Sequence, residues 1–222
     1  MKKILILVAI VVIGAVAFGA WYVFSDDAPA KPTLAACGTS SGASSSPDGS
    51  WKIAPGVDVF VGYRMTEQFA GDVVHKTAVG RTPSVDGTMT IAGSKVTATD
   101  VTAQMQDLSS NRAARDNYIH EHGIESDKFP TSKFALSKPV ALPAGLQPCT
   151  KVNVAAVGKL TLHGVTKTIT VPLEAQWDGA KVTAVGNVPI VLADYNIEPP
   201  HTSVVKVDDH GSLDVSLAFN RS

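Results

Sequence analysis

Histidine is the side chain that most often binds metals or moves protons near neutral pH, and this chain has six. His120 and His122 flank Glu121 in a stretch that lacks strand periodicity, with Glu125 nearby. Residues at i and i+2 do not share a helical face, so this group is poorly spaced to bind a metal, and we interpret it as a solvated loop. His163 lies in a predicted hairpin turn and is expected to order that turn. The other histidines have no partner at a recognisable spacing: His75, His201 and His210.

Residues Gly38 to Gly42 spell Gly-x-Ser-x-Gly, the pattern of a serine-hydrolase nucleophile elbow. That motif needs a strand before the serine and a helix after it, and the surrounding Ala/Ser/Gly/Pro-rich sequence supplies neither. Neither a metal-ligand spacing nor a phosphate-binding loop is present. We therefore predict a protein that is not an enzyme and has no metal or cofactor.

The composition sets the class of protein that must position any binding residues. Of 222 residues, the last 172 or so form a stretch of single-domain size, and the hydrophobic content of 45% is ample for a core. The formal net charge is −1 and no Lys/Arg cluster follows the N-terminus. Because nucleic-acid binding depends on concentrated positive charge, nucleic acid is excluded as a partner.

The N-terminal segment 1–24 predicts a membrane anchor. Lys2 and Lys3 precede an apolar run, 4–24, which as a helix would span about 31 Å, matching a bilayer core of about 30 Å. The lysines place the N-terminus in the cytoplasm and the rest of this single-pass protein outside it. The alternative is a signal peptide cleaved at small residues, either Ala15–Ala17 or Ala17–Gly19, which would release a secreted protein.

Two cysteines, Cys37 and Cys149, follow this segment. In an oxidising compartment a lone pair is most simply explained by a disulfide, which would attach the stalk to the domain. The alternative is that Leu34-Ala-Ala-Cys37 is a lipoprotein acylation box, although nine residues, 25–33, separate it from the apolar run.

The rest of the chain divides into a linker, 25–50, and a β domain, 51–222. The linker is rich in Ala, Ser, Gly and Pro and has no hydrophobic period, so we expect it to be flexible. Four later segments alternate apolar and polar residues with period two, and they are joined by short turns. Their predicted inward faces begin at Val152, Ile169, Val182 and Leu213.

The first half of the domain has weaker alternation. It predicts strands near 51–54, 57–66, 72–80, 87–92, 95–107 and 132–142, with turns at Asp86-Gly87 and Ala92-Gly93. Residues Asn111–Glu121 lack alternation and predict one short helix. The fold class is therefore all-β. Periodicity alone leaves a barrel, which can enclose a ligand, and a sandwich, which fills its interior, both open.

Several segments of the domain resemble the YceI-like family. Gly158-Lys-Leu-Thr-Leu-His-Gly-Val-Thr-Lys167 resembles its signature hairpin, and Arg115-Asp116 followed by Phe129-Pro-Thr-Ser-Lys-Phe134 resembles a second family segment. Trp51-Lys-Ile53 and Ala193-Asp-Tyr195 match shorter elements, and all occur in the family's order. The resemblance implies an extended antiparallel lipocalin-like β-barrel that binds a long-chain isoprenoid or other amphipathic lipid in its interior.

The same resemblance suggests which residues contact the lipid. It places Arg115 and Asp116 near the barrel mouth, where the arginine would meet a headgroup or, in the interpretation that we favour, attach the helix to the barrel. The full set of cavity or rim candidates is Arg115, Tyr118, Phe129, Phe134, Leu160, Leu162, Val171, Leu173, Trp177, Val188, Ile190 and Tyr195. The rival hypothesis is a filled barrel that serves as a structural or protein-interaction module of the cell envelope.

Overall fold

The computed structural model describes residues 28–38, 46–69, 74–203 and 205–222. Within these ranges no helix is long and apolar enough to cross a membrane. The predicted anchor, 4–24, lies outside the described residues, as does the serine of the Gly-x-Ser-x-Gly pattern.

Strands are the main regular element of the described chain, as predicted. The strands are β1 (Gly49–Ile53), β2 (Phe60–Phe69), β3 (Val74–Thr82), β4 (Val85–Ile91), β5 (Lys95–Gln104), β6 (Ser109–Ser110), β7 (Thr131–Leu136), β8 (Val140–Ala141), β9 (Lys151–Leu162), β10 (Val165–Trp177), β11 (Lys181–Val191) and β12 (Val205–Arg221). One short helix, α1 (Ala113–Tyr118), continues as a π-helical turn over Ile119–Gly123. A 3₁₀ helix over Leu192–Tyr195 follows β11.

The sheet closes into a barrel because β1 pairs with β4 on one side and with the end of β12 on the other. The closed ring runs β1-β4-β5-β7-β9-β10-β11-β12, with every pair antiparallel. β2 pairs with β12 from Val205 to Ser216, and β3 and β6 continue the wall from there. The structure therefore selects the barrel over the sandwich, the two architectures that periodicity left open.

The alternation of β9, β10 and β11 was predicted in the correct phase, because each of these strands has one face inside the barrel and one outside.

Some predicted turns are wrong. Asp86-Gly87 lies within β4, and the bend comes instead at Pro83-Ser84. The segment Asp209–Gly211 lies inside β12, where the register with β2 shifts between Val207 and Gly211 as a bulge.

Residues 28–38, here called the strap, lie along the outside of the barrel. Arg64 donates to the carbonyl of Pro29 at 2.7 Å, Arg81 donates to the carbonyl of Ala30 at 3.0 Å, and Gln176 donates to the carbonyl of Ala35 at 3.0 Å. Cys37 at its end forms a disulfide with Cys149, which confirms that prediction. A sulfur in a disulfide cannot carry an acyl chain, so the acylation-box alternative is wrong. Part of the predicted linker is therefore attached to the barrel.

The strap explains why the outer face of β12 is buried. Asp214 points away from the barrel interior, yet it is fully buried. Its carboxylate accepts hydrogen bonds from Arg64 at 2.8 Å and from Asn187 at 2.8 Å, and Arg81 lies 3.8 Å away. The two arginines that neutralise this carboxylate also hold the strap. Lys31 of the strap adds a hydrogen bond to Asn187.

The barrel has two ends, named here for what lies at each. The disulfide end contains Cys149, the turn 178–180 and the last residues of β12, and Arg221 donates there to the carbonyls of Ser46 and Asp48 at 2.8 and 2.7 Å. The helix end contains the hairpin turn His163-Gly164, the β11–β12 connection, and α1 with its π-helical turn. The strap runs from Cys37 at the disulfide end toward the helix end.

Candidate functional site

The interior of the barrel is a cavity of about 540 Å³, which lies within the usual range for small-molecule sites. Its wall is formed by the inward faces of the strands and, at the helix end, by α1 and the π-helical turn. Most of the side chains that line it are aliphatic, aromatic or methionine. Such a surface binds through the hydrophobic effect, with little dependence on polar groups.

The structure brings most of the predicted contact residues to this one cavity. The predicted residues that line it are Arg115, Tyr118, Phe134, Leu160, Leu162, Val171, Leu173, Trp177, Val188 and Ile190. They come from α1, β7, β9, β10 and β11, and the inward phase of each strand places them there.

Phe129 and Tyr195 are not among the described residues that line the cavity. The Phe129 ring packs edge-on against the His163 ring, with the centroids 4.5 Å apart. Gly164 follows in the left-handed conformation, and a side chain at that position would collide with Phe129. Tyr195 is 3% exposed and packs in the core, while its carbonyl meets His163. Both aromatic residues support the rim of the barrel.

A buried ion pair lies in the cavity wall at the helix end. Arg115 donates from Nε and Nη2 to both oxygens of Glu67, at 2.6 and 2.7 Å, and each side chain is nearly buried. Its Nη1 donates to Ser110 at 3.1 Å and to Asn111 at 2.9 Å. Burial lowers the pKa of Arg115, but the hydrogen bonds and charge of Glu67 outweigh it, and the net shift is upward. Arg115 therefore attaches the helix to β2, while Asp116 accepts from Ser110.

Tyr63 contributes a polar atom that has no such partner. Its ring lines the cavity and lies against Gly80, where any side chain would overlap it. Its hydroxyl is buried and makes no hydrogen bond with the described residues. Burial raises the pKa of Tyr63 well above its usual value, more than the nearby charge of Arg115 lowers it. The hydroxyl is thus neutral, and the Ser110 side chain beside it also lowers the pKa.

The helical segment that covers this end is attached to the rim by two histidines. His120 contacts the Leu108 carbonyl and the Ser126 hydroxyl, each at 2.8 Å. His163 contacts the Tyr195 carbonyl at 3.0 Å and the Glu125 carboxylate at 2.8 Å. The hydrogen bond from His163 lowers the pKa of Glu125, and Lys128, 3.6 Å from the carboxylate, adds to the effect. The predicted role of His163 in ordering its turn therefore extends to holding the helical cover.

Sequence reasoning missed the inward face of β2. Tyr63, Met65, Glu67 and Phe69 all line the cavity, and a glutamate on an otherwise apolar face is the signal that could have identified the polar group. Methionines also line the cavity without having been predicted: Met65, Met89 and Met105. Across the part of the chain that the structure describes, no three His, Cys, Asp or Glu side chains are grouped to hold a metal ion.

Comparisons of the sequence with known proteins identify the family to which this barrel is similar. The sequence model of the YceI-like domain family matches residues 59–219, which is most of the chain. A UPF0312 protein of Vibrio vulnificus (strain YJ016) is 37% identical over 120 residues, 51% of this chain and 58% of the relative. A UPF0312 protein of Vibrio parahaemolyticus is 36% identical over 114 residues, 48% of this chain and 55% of that protein. The chain thus spans a little over half the length of these relatives.

Solved structures share the fold at low sequence identity. A polyisoprenoid binding domain from Saccharophagus degradans superposes with a TM-score of 0.59 at 16% identity, covering 78% of this chain and 98% of that domain. BcnA of Burkholderia cenocepacia gives a TM-score of 0.53 at 22% identity, covering 70% and 95%. The YCEI protein of Campylobacter jejuni gives 0.51 at 19% identity, covering 64% and 84%.

Proposed function

The chain belongs to the YceI-like domain family, and on this premise we propose that it is a non-enzymatic carrier of a long-chain isoprenoid or similar lipid. We further propose that the apolar segment 4–24 tethers it to the outer side of the cytoplasmic membrane. The observation that carries the proposal is the continuous apolar cavity of about 540 Å³ inside the barrel. A polyisoprenoid-binding domain with the same fold, from Saccharophagus degradans, supports the choice of ligand.

The physical need for such a carrier is clear. Exposing a polyprenyl tail to water costs about 0.8 kcal/mol per CH₂, so outside the bilayer the tail needs an enclosed apolar site. A filled barrel, the structural-module alternative, would offer no such space. The cavity therefore favours the carrier.

The polar group in the wall suggests a neutral headgroup. The charge of Arg115 is matched by Glu67 in a bidentate pair, and its remaining nitrogen is bonded to Ser110 and Asn111. A phosphate at this position would meet the Glu67 carboxylate as well as the arginine. By contrast, a carbonyl or hydroxyl oxygen could accept a hydrogen bond from Tyr63 without any net charge being buried. An isoprenoid quinone combines such a headgroup with the required tail.

The test compares adjacent alanines of β9 that face opposite ways. Ala156 is buried and lines the cavity, whereas Ala155 is exposed outside the barrel. The full-length chain, purified from membranes that contain isoprenoid quinones, is extracted and its lipids are quantified by mass spectrometry. We expect near-equimolar isoprenoid in the wild type and in A155F, and a loss of about tenfold in A156F, because the added ring occupies the ligand's space.

Absence of isoprenoid from the wild type, together with no uptake from quinone-loaded vesicles, would overturn the proposal. Equal occupancy in A156F and A155F would show that the lipid binds outside the barrel. The tether has a separate test: N-terminal sequencing of the mature protein should find the apolar segment retained, and a start after Gly19 would contradict it.

A further inference from the structure

The path of the strap determines which end of the barrel lies beside the N-terminal segment. Ala28 and Pro29 lie at the helix end, in a small crevice that they share with Phe69, Lys76 and Arg112. From there the strap runs along the outer face of the barrel to Cys37 at the disulfide end. The first described residue of the chain is therefore at the helix end.

The strap is fixed to the barrel along its whole length, so its position relative to the barrel does not vary freely. Its far end is covalently bonded through Cys37–Cys149, and its carbonyls accept hydrogen bonds from Arg64, Arg81 and Gln176. The two arginines are themselves fixed by the fully buried Asp214. Leu34 of the strap is buried as well. A segment attached at both ends and along its length cannot swing freely as a flexible linker would.

The distance between the strap and the apolar segment is short. Four residue steps separate Phe24, the end of that segment, from Ala28. Fully extended, they reach about 14 Å, roughly twice the thickness of one headgroup layer. The helix end must therefore lie close to any membrane in which segment 4–24 is embedded. The disulfide end, at the opposite end of the strands, is not held near the membrane by this connection.

The two ends also differ in how the cavity is covered. At the disulfide end Pro47 and Leu146 line the cavity. They lie in segments fixed by the disulfide, by Arg221 and by the Trp51 ring, which donates to the Pro47 carbonyl at 3.0 Å.

At the helix end the cover is α1 with its π-helical turn, and side-chain contacts of Arg115, His120 and Glu125 attach it to the barrel. The rim there carries half-buried apolar side chains: Phe69, Val74, Pro200 and Val205. A rim of this kind suits contact with a lipid surface.

We infer that the strap orients the barrel so that the helix end of its cavity faces the membrane beside the chain's own anchor, and that lipid enters and leaves there. This rests on the proposed tether and lipid cavity, and it adds a direction to both. The strap is then an orienting element, and the disulfide fixes it at the end that faces away from the membrane.

Photo-crosslinking in vesicles tests the orientation without introducing new thiols. Benzoylphenylalanine is placed at Ser203 in the connection at the helix end, or at Ala180 in the turn at the disulfide end; both positions are exposed. The full-length chain is reconstituted in phosphatidylcholine vesicles and irradiated, and lipid adducts are measured by intact mass. We expect lipid adducts when the probe is at Ser203, and at least about tenfold fewer when it is at Ala180. The reason is that the length of the strands keeps Ala180 away from the bilayer.

A spacer provides the matched control. A Gly/Ser insert of about twenty residues between Asp27 and Ala28, with an end-to-end distance of about 25 Å, should abolish the difference between the two positions. It should also slow uptake of isoprenoid quinone from the vesicle without changing the final occupancy.

Two results would overturn the inference. Equal or stronger adducts at Ala180 in the chain without the spacer would reject the orientation while leaving the lipid cavity intact. Adducts at neither position, with a chain that stays in solution without detergent, would reject the tether and the orientation together. The Ala156 comparison decides separately whether the cavity binds lipid.

Discussion

Tyr63 is the residue whose hydroxyl we propose to donate a hydrogen bond to the headgroup of the ligand. A buried hydroxyl without a partner is costly, because it has lost its hydrogen bonds to water. Tyr63→Phe removes this cost from the empty barrel, so we expect its stability to be unchanged or slightly raised. Affinity for an isoprenoid quinone should fall by about five- to tenfold, since one neutral hydrogen bond contributes about 1 kcal/mol.

Titration of quinone-loaded vesicles against the full-length chain measures this effect. An isoprenoid hydrocarbon of the same length is the matched ligand control, because it has no headgroup and should bind Y63F and wild type equally. A loss of affinity for both ligands would instead mean that the ring packs against the tail and that its hydroxyl has no role.

Glu67 is expected to be the residue that excludes anionic lipids. Glu67→Gln removes the charge that matches Arg115 and leaves a guanidinium nearly buried without its counter-ion. We expect a loss of about 3 kcal/mol in the free energy of unfolding, measured by urea denaturation. The unmatched arginine should also let the variant bind polyprenyl phosphate, which we expect the wild type to exclude.

A double variant controls for simple loss of packing. E67Q combined with Arg115→Met leaves no unpaired charge, so it should recover most of the lost stability and should again bind no polyprenyl phosphate. Phosphate binding that persists in the double variant would show that another group recognises the anion.

At the scale of elements, the Glu125–His163 contact joins the helical cover to the β9–β10 turn. Because the folded pKa of Glu125 lies below its ordinary value, the contact stabilises the folded state above that value, about 4.3, and this contribution is lost as the pH falls through the folded pKa. Wild type should therefore be more stable than Glu125→Gln at neutral pH, and the difference should close below about pH 4.

Thermal unfolding across this range measures the difference. Glu121→Gln, four residues earlier, is the matched control, since the Glu121 side chain is exposed and lies 3.7 Å from His122. A difference between wild type and E125Q that stayed constant with pH would contradict an ionic contact at Glu125.

The elements also show what local sequence can and cannot predict. The inward faces of β9, β10 and β11 were predictable, because a period of two records directly which side of a strand faces the core. The outer face of β12 was not, since Asp214 is polar and its burial depends on a strap more than 170 residues earlier in the chain. The pairing of Glu67 with Arg115 likewise joins residues 48 positions apart, and no local pattern records it.

At the scale of the whole molecule, the fold is closed twice, once by β1 pairing with β12 and once by the disulfide. The first closure makes the wall around the cavity, and it needs no cysteine. The second holds the strap, spanning 112 positions in sequence. The two closures therefore separate the proposed lipid binding from the proposed orientation, and the two proposals can be tested independently.

Replacing both cysteines tests this separation. The double variant C37S/C149S should lose about 5 kcal/mol of unfolding free energy, as expected when a loop of this length is no longer closed in the unfolded chain. It should still bind isoprenoid, because the ring of paired strands remains. Urea denaturation measures the first quantity and lipid extraction the second, with reduced wild type as the control, since it should match the variant in both. A variant that unfolds as wild type does but has lost its lipid would contradict the assignment, because the disulfide would then be shaping the cavity rather than holding the strap.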